Sequence, residues 1–388
     1  MPRDVGEAAD AARTAIARAP RPAVVGAVVV VVWMLVVAAL PGGESSTGNS
    51  IEVVSKGLAA TGDQLGRRPA AVLRVYVDPQ GSDLNNGAAP ERAVRSLAAA
   101  QRVIAAARPS TDVEVRIKQG TYVAAPLEWS TYVPGRTIAF LPSDYQVGAS
   151  EGLSGRPVFQ GNGNNGFWFR AVRQPGNARL AFYFLRAERY SAGAIAFDGG
   201  SEAGGQQTGN NVVYGMAFRN LGSKHAGGIG YGAVDLINSQ NNVIQRNSFE
   251  YLENLGDASE EALVHGVYLS HHSSDNLIRD NRFRRISGDP IRTRDGSSGN
   301  KVFGNTFERT GSNAYFSDWF SADASTQQRT GAAECASRSN TFYDNILISG
   351  YRGPVEAWWT SPLGADYATR GCGDGAQVRV QAWGNRRR

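Results

Sequence analysis

An eight-residue pattern, asparagine, any residue, apolar, two of any kind, asparagine, any residue, apolar, recurs along the second half of this chain. It occurs as NVIQRNSF (242–249), NLIRDNRF (276–283), NKVFGNTF (300–307) and NTFYDNIL (340–347). A fifth copy, NVVYGMAF (211–218), has Met216 in place of the second asparagine. The starts lie 31, 34, 24 and 40 residues apart. Such self-similarity at a roughly constant period indicates a solenoid, with loops of different length inserted in its coils.

The pattern favours strands over helices. Its apolar residues alternate as they do in short strands with one inward face, and asparagine suits the bends between strands. Asparagines of successive coils can hydrogen-bond to one another in a ladder. The 46 glycines and the low charged fraction of 19% also favour turn-rich β structure. We therefore predict an all-β parallel β-helix, with a β-sandwich or a propeller as the alternatives.

The segment before the repeats predicts the start of this body. A strand is expected at Leu73–Pro79, an amphipathic helix at 93–108, and a further strand in VEVRIKQGTY (113–122). Pro109 would terminate the helix. One of its faces would comprise Val94, Leu97, Gln101 and Ile104. This helix is expected to cap the open end of the β-helix.

With these elements in place, the chain resembles the pectate-lyase-like right-handed parallel β-helix superfamily over roughly residues 73–385. The resemblance rests on VYVDPQGSDLNNG (75–87), the helix and VEVRIKQGTY, which look like that superfamily's N-terminal cap. It also rests on HGVYLSHHSSDNLIRDNRF (265–283), which resembles a common repeat of the superfamily. The resemblance implies a right-handed β-helix and polysaccharide as the partner. It leaves lyases, hydrolases, uronan epimerases and non-catalytic members open.

Residues 23–40 contain no charged side chain and are long enough, as a helix, to span a membrane. Four arginines precede them within residues 1–22, which predicts a cytoplasmic N-terminal segment and an extracytoplasmic body. A cleaved signal peptide is the rival interpretation and would make the protein secreted. We expect a flexible linker at 41–70, rich in Gly, Ser and Thr near its start, and the β-helix domain at 71–388.

Charge gives no support to a nucleic-acid partner. The net charge is +5, of which residues 1–22 contribute +1 and Arg386–Arg388 contribute +3, so the body is nearly neutral. The two cysteines, Cys335 and Cys372, lack zinc-site spacing, and a zinc site is therefore not expected. In an exported body they could form one disulfide that stabilises it by roughly 3 to 4 kcal/mol; the alternative is two unpaired thiols. The oligomeric state is left open.

The strand before each asparagine repeat should stack on its counterpart in the next coil. GVYLSHHSSDN (266–276) aligns with PIRTRDGSSGN (290–300) without a gap, and AVDLINS (233–239) joins them after a shift of one residue. Alternation then points one set of side chains inward, namely Val267, Leu269, Ile291 and Thr293. The outward set comprises Tyr268, Ser270, Arg292, Arg294 and Asp235.

This outward face contains residue types that suit β-elimination of an acidic sugar. Arg292 and Arg294 could neutralise a uronate carboxylate, because guanidinium binds carboxylate with two parallel hydrogen bonds. Tyr268, His265 and His271 could serve as base and acid. The alternatives are structural. The arginines could form ion pairs with nearby acids, and the histidines could form ordinary hydrogen bonds at coil corners.

Other residues would contact the glycan or support rival chemistry. Hydrolysis needs two facing carboxylates, for which Asp235, Asp289, Asp295 and Asp318 are available. The same acids offer oxygen ligands to Ca²⁺, the only cofactor that we consider. We predict Asp235, Asp289, Asp295, Tyr315 and Trp319 as substrate-binding residues, with core packing as the alternative for the two aromatics. A non-catalytic module that binds glycan or protein along this face is the hypothesis from a different class.

Overall fold

A computed structural model describes residues 72–147, 155–200, 207–321, 333–364, 367, 371–372 and 378–388. The predicted cytoplasmic segment, transmembrane helix and linker lie outside these residues. Within the described ranges, no helix is both long and apolar enough to cross a membrane. Apart from Gln146 and Val147, the described residues belong to one compact unit.

This unit is built from three long sheets in which neighbouring strands run parallel. The ten-strand sheet contains, in spatial order, β1 (Leu73–Val77), β2 (Val113–Ile117), β5 (Thr137–Pro142), β8 (Arg179–Tyr183), β12 (Val212–Tyr214), β16 (Val243–Gln245), β19 (Leu277–Arg279), β22 (Lys301–Phe303), β25 (Asn340–Tyr343) and β28 (Val380–Trp383). The nine-strand sheet contains β3 (Thr121–Val123), β6 (Val158–Asn164), β9 (Arg186–Tyr190), β13 (Ala217–Leu221), β17 (Ser248–Leu252), β20 (Arg282–Ile286), β23 (Thr306–Thr310), β26 (Ile346–Ser349) and β29 (Arg386–Arg387).

The eight-strand sheet contains β4 (Leu127–Trp129), β7 (Phe167–Val172), β10 (Gly193–Asp198), β14 (Gly232–Ile237), β18 (His265–Ser270), β21 (Ile291–Arg294), β24 (Ala314–Trp319) and β27 (Glu356–Thr360). A small pair, β11 (Thr208–Gly209) and β15 (Ser239–Gln240), lies at one corner. The chain visits the ten-strand, nine-strand and eight-strand sheets in turn and then begins the next coil. The parallel β-helix fold is therefore confirmed, and the sandwich and propeller alternatives are wrong.

Two ladders of buried asparagines run along the coils, as the repeat predicted. In the first, the side-chain oxygens of Asn242, Asn276, Asn300 and Asn340 each accept the backbone N–H and the amide N–H of the asparagine one coil earlier. The second ladder links Asn247, Asn281, Asn305, Asn345 and Asn385. Met216 stands at its head, where its sulfur accepts the N–H of Leu185.

The core fills the space between the three sheets. Its inward columns include a stack of four phenylalanines with ring centroids 4.6 to 4.9 Å apart, namely Phe218, Phe249, Phe283 and Phe307. On the eight-strand sheet, Val234, Val267 and Ile291 form a matching aliphatic column, and all three are fully buried. Stacking of like side chains on successive coils buries apolar surface without large voids.

The N-terminal helix caps the core as predicted, but it is shorter than expected. Helix α1 spans Leu97–Ala107, and Leu97 and Ile104 are buried among the core residues. It begins after Ser96, whose hydroxyl accepts the N–H of Ala99. The predicted start at residue 93 is wrong because Val94 instead forms a parallel bridge with Val77.

Three smaller predictions are also settled by the structure. The first strand ends at Val77 rather than Pro79. VEVRIKQGTY forms two strands in different sheets, because a corner at Gly120 separates Val113–Ile117 from Thr121–Val123. A second helix, α2, spans Ala258–Glu261. Of the two alternatives left open for Cys335 and Cys372, the structure has the disulfide, with the two Cα atoms 5.5 Å apart.

Candidate functional site

The outward column on the eight-strand sheet has the predicted register. Tyr268 pairs with Asp235 on one side and with Arg292 on the other. The predicted inward pairs are also present, since Val267 lies beside Ile291 and Leu269 beside Thr293, with all four side chains fully buried. Counting back from the asparagines therefore gave the correct stacking of three coils.

Asp289 anchors this column from the corner that precedes β21. One of its carboxylate oxygens, Oδ1, accepts the backbone N–H groups of Ser312, Asn313 and Ala314 at 3.0, 2.8 and 3.0 Å. The other, Oδ2, accepts a hydrogen bond from Arg292 Nη2 at 2.8 Å. Burial alone would raise the pKa of Asp289, but the charge of Arg292 and the backbone donors hold it below its ordinary value. Asp289 is therefore an ionised support for Arg292.

Arg292 is fixed by two partners and keeps one nitrogen for other use. Its Nε donates to Ser317 Oγ at 3.0 Å, and its Nη2 donates to Asp289. Nη1 donates no hydrogen bond to any residue that the structure describes. The side chain is 12% exposed, whereas that of Asp289 is 0% exposed. This geometry presents a preorganised guanidinium edge at the surface of an otherwise buried cluster.

His265 begins β18, and Tyr268, farther along the same strand, pairs with Arg292. The carbonyl oxygen of Asp289 lies 2.7 Å from His265 Nδ1. Because a carbonyl can only accept, Nδ1 carries the proton, and the basic lone pair of the neutral ring is on Nε2. The rings of His265 and Tyr268 have their centroids 5.1 Å apart. The side chains of His265, Tyr268 and Asp235 are all buried.

Arg294 is held from a second direction by Glu334. Its Nε donates to both carboxylate oxygens of Glu334, at 2.9 and 3.0 Å, and the two side chains are 3% and 2% exposed. The guanidinium carbon lies 4.7 Å from the ring centroid of Trp319. Arg294 Nη1 also lies 3.5 Å from Tyr268 Oη, a long contact. The cluster thus combines two arginines with two carboxylates, so both predicted arginines are ion-paired, and the donor that remains for a ligand is Arg292 Nη1.

Glu334 was absent from the sequence prediction. It follows the undescribed residues 322–332 and belongs to no repeat, so no periodic pattern placed it beside Arg294. Its neighbour Cys335 forms the disulfide with Cys372, and this proximity to a covalent constraint was the only signal in the sequence.

His271 and Asp295 form a separate pair at the far end of the strand. His271 Nδ1 lies 3.0 Å from Asp295 Oδ2. Burial would raise the pKa of Asp295, but the hydrogen bond and the charge of His271 lower it. Six residues of extended chain, or roughly 20 Å, separate His271 from His265. His265 is the first residue of β18 and His271 follows its last residue, Ser270, so the structure places the two predicted histidines at opposite ends of this strand.

The remaining predicted residues divide between surface and core. Trp319 is half-buried on the outward face beside Arg294. Tyr315 is 2% exposed and packs against Phe307 in the core, so the core-packing alternative describes it. Asp318 is also buried, and it contacts Thr293 and Arg379. Burial raises the pKa of Asp318 above its ordinary value, against the opposing charge of Arg379.

Three of the four predicted carboxylates are each engaged by a basic partner, Asp289 by Arg292, Asp295 by His271 and Asp318 by Arg379. Of the four, only Asp235 shares the column of Tyr268 and Arg292. Within the described ranges there is no group of three or more His, Cys, Asp or Glu side chains that could hold a metal ion. The arrangement that remains is a cation with a nearby histidine and tyrosine.

No protein-family model matches this chain, and no curated protein matches its sequence. Among solved structures, a GH136 lacto-N-biosidase from Eubacterium ramulus is similar at 10% identity, with 88% of this chain and 72% of that chain covered and a TM-score of 0.38. An alginate lyase from Paenibacillus sp. str. FPU-7 is similar at 12% identity, with 75% and 92% covered and a TM-score of 0.42. PfbA, a surface adhesin of Streptococcus pneumoniae, is similar at 12% identity, with 75% and 77% covered and a TM-score of 0.42. At these values the likenesses carry no argument about function, and the fold assignment rests on the sheet topology.

Proposed function

We propose that this protein is a carbohydrate-active enzyme, specifically a lyase that cleaves an acidic polysaccharide by β-elimination. The observation that carries the proposal is the hydrogen bonding of the Arg292 guanidinium. Its guanidinium is held by Asp289 and Ser317, while Nη1 has no hydrogen-bond acceptor among the described residues. His265 and Tyr268 lie beside it. An enzyme that neutralises a substrate carboxylate needs such a preorganised donor next to a base and an acid.

The proposed reaction assigns one role to each residue. Arg292 donates through Nη1 to the uronate carboxylate and stabilises the negative charge that develops as the C5 proton leaves. His265 Nε2 takes this proton, since Nδ1–H is fixed on the carbonyl oxygen of Asp289. The C4–O bond then breaks as the C4–C5 double bond forms, and Tyr268 Oη gives its proton to the leaving oxygen. Trp319, half-buried beside Arg294, is proposed to contact a neighbouring part of the glycan, whereas Asp235 is fully buried and is assigned no contact.

The test uses the full chain and a panel of acidic polysaccharides, with ultraviolet absorbance as the readout for the new double bond. Tyr268→Phe and His265→Gln should each lower turnover by about 10² to 10⁴. Arg246→Ala is the control and should leave turnover unchanged, because Arg246 is exposed in the corner after β16 and bonds to Tyr214. If reducing ends form without unsaturated product, the protein is a hydrolase and not a lyase. Neither product from any acidic glycan would overturn the enzyme assignment.

Calcium has no assigned role in this proposal because Arg292 supplies the neutralising charge. Turnover should therefore survive a Ca²⁺ chelator. Loss of activity on chelation, with recovery on adding Ca²⁺ back, would give the neutralising role to the metal and contradict the role of Arg292.

A non-catalytic glycan-binding module is the second candidate, favoured by the near-complete burial of His265 and Tyr268 and by the ion pairing of both arginines. The two candidates differ in one measurement. If Arg292→Ala abolishes glycan binding while the parent protein shows no turnover on any bound glycan, the binding module is correct.

We also propose that residues 23–40 anchor the protein in a membrane with the β-helix on the outer side. The support is the apolar run and the arginines that precede it. Protease added to intact cells should degrade the β-helix domain while residues 1–22 stay protected. Release of the whole body into the medium would favour the cleaved signal peptide instead.

A further inference from the structure

A cleft of about 420 Å³ lies at the corner between the nine-strand and eight-strand sheets. Loops from successive coils form its walls. It is lined by Glu261, Ser312, Tyr351 and Arg352, together with small residues that include Gly311 and Gly353. One of these residues, Ser312, also contacts Asp289 of the cluster around Arg292. The volume falls within the usual range for small-molecule sites.

One wall of the cleft is fixed by a buried carboxylate. Tyr351 Oη donates to Glu253 Oε1 at 2.6 Å, although the two residues are 98 positions apart in sequence. Glu253, whose side chain is 1% exposed, also accepts Lys224 Nζ at 3.0 Å and Arg285 Nε at 2.9 Å. His225 Nε2 lies 3.3 Å from its other oxygen. The tyrosine ring is thus held in place before any ligand arrives, which lowers the entropic cost of binding.

The protonation of Tyr351 is fixed as well. Burial and the hydrogen bond to Glu253 raise its pKa to about 12. Its hydroxyl is therefore neutral and stays a donor to Glu253 over the physiological range. The aromatic ring remains as a neutral wall, of the kind on which the apolar face of a sugar ring can pack.

The charges that line the cleft are already matched. Arg352 forms an ion pair with Glu261, and the two side chains are 72% and 17% exposed. An acidic ligand would have to compete with Glu261 for the guanidinium and would meet its carboxylate. An uncharged polyol would not, because its hydroxyls can accept from Arg352 and donate to Glu261 while the pair remains. The electrostatics therefore favour a neutral, hydroxyl-rich ligand.

The cleft is connected to the candidate site through a single residue. Ser312 lines the cleft and donates its backbone N–H and its hydroxyl to Asp289 Oδ1, at 3.0 and 3.2 Å. The other oxygen of Asp289 holds Arg292. The cleft and the candidate site therefore share the contact between Ser312 and Asp289.

We propose that the cleft between Tyr351 and the Arg352–Glu261 pair binds an uncharged sugar residue. The inference rests on the proposed function in taking a glycan as the ligand, and it makes that glycan a heteropolysaccharide with neutral as well as acidic residues.

The test is isothermal titration of the full chain with neutral hexasaccharides of glucose, mannose and galactose and with a hexasaccharide of uronic acid. At least one neutral probe should bind, and Arg352→Ala should weaken that binding about tenfold or more. Arg352 is exposed, so this substitution should not disturb folding. Tyr351→Phe, which keeps the ring and removes the bond to Glu253, should weaken it less than Tyr351→Ala. Arg246→Ala is the matched arginine control outside the cleft.

Two outcomes would overturn the inference. One is the absence of binding by every neutral probe, and the other is neutral binding that Arg352→Ala and Tyr351→Ala leave unchanged. Because binding is measured without turnover, the result is independent of lyase activity. A protein without lyase activity whose neutral binding depends on the cleft would refute the proposed reaction alone, and a lyase with unchanged neutral binding in the variants would refute the cleft alone.

Discussion

Asp289 Oδ2 accepts a 2.8 Å hydrogen bond from Arg292 Nη2. Asp289 precedes Arg292 by three residues and lies in the corner before β21. The carboxylate is oriented by three backbone N–H groups from the next coil. This pair therefore couples the position of a candidate functional arginine to the packing of two coils. A change at Asp289 should affect stability and the site together.

Asp289→Asn should lower the free energy of unfolding by roughly 3 to 5 kcal/mol, because it leaves the charge of Arg292 without its buried counter-charge. Urea unfolding of both proteins measures the difference. Glu128→Gln is the control, since Glu128 pairs with Arg173 at 3.8 Å with side chains 58% and 75% exposed; it should change stability by no more than about 1 kcal/mol. Equal effects of the two substitutions would contradict the structural role given to Asp289.

Asn281→Leu should destabilise the β-helix by about 2 to 4 kcal/mol. Asn281 donates to Ile244 O and Asn305 Oδ1 and accepts two N–H groups from Asn247, all at 2.9 to 3.0 Å. A leucine of similar size leaves these buried groups without partners. Thermal and urea unfolding measure the loss, with Asn86→Leu at an exposed turn as the control. A loss below about 1 kcal/mol would mean that the ladder is dispensable.

Glu253 should contribute to the pH dependence of stability. Burial would raise its pKa, but hydrogen bonds from His225, Tyr351, Arg285 and Lys224 lower it well below the ordinary value of 4.5. A depressed folded-state pKa gives stability that is complete above the unfolded-state value and is lost as pH falls through the folded one. The stability difference between the parent and Glu253→Gln should therefore be largest near neutral pH and shrink progressively below about pH 4.5. Urea unfolding across this range measures it, and a difference that stays constant would contradict the role of the ionised carboxylate.

Reduction of the disulfide should lower stability by about 4 kcal/mol, the chain-entropy value for a closed loop of this length. It should also loosen Glu334, which precedes Cys335 and holds Arg294 against Trp319. Unfolding with and without reductant measures the first effect, and the change in tryptophan fluorescence of the folded protein reports the second. The double variant Cys335→Ser with Cys372→Ser should not respond to reductant. A parent whose fluorescence is equally unresponsive would show that Glu334 needs no covalent support.

The fold was largely predictable because its information is local and repeated. Each asparagine position carries its own bend and its own bond to the next coil, so the pattern gave both the architecture and the register of Asp235, Tyr268 and Arg292. The helix boundary was less predictable. The bridge between Val94 and Val77 replaced the first helical turn, and such a contact between distant residues leaves no periodic signal.

The candidate site was only partly predictable. Alternation along a strand tells which side chains share a face, but the partners of those side chains come from corner loops of variable length. Glu334 reaches Arg294 from 40 residues away, and Ser312 reaches Asp289 from 23 residues away. Because of these loop contacts, Arg292 and Arg294 are both ion-paired, although the sequence predicted that they would be available to bind substrate.

The sequence by itself determined the solenoid, its asparagine ladders and the order of residues along one outward column, since these depend on interactions that every coil repeats. Only the tertiary structure decided that Glu334 holds Arg294, that Tyr315 belongs to the core and that Tyr351 closes a cleft against Glu253. These outcomes depend on where irregular corner loops bring distant residues, and a burial pattern that is local in sequence contains no information about such contacts.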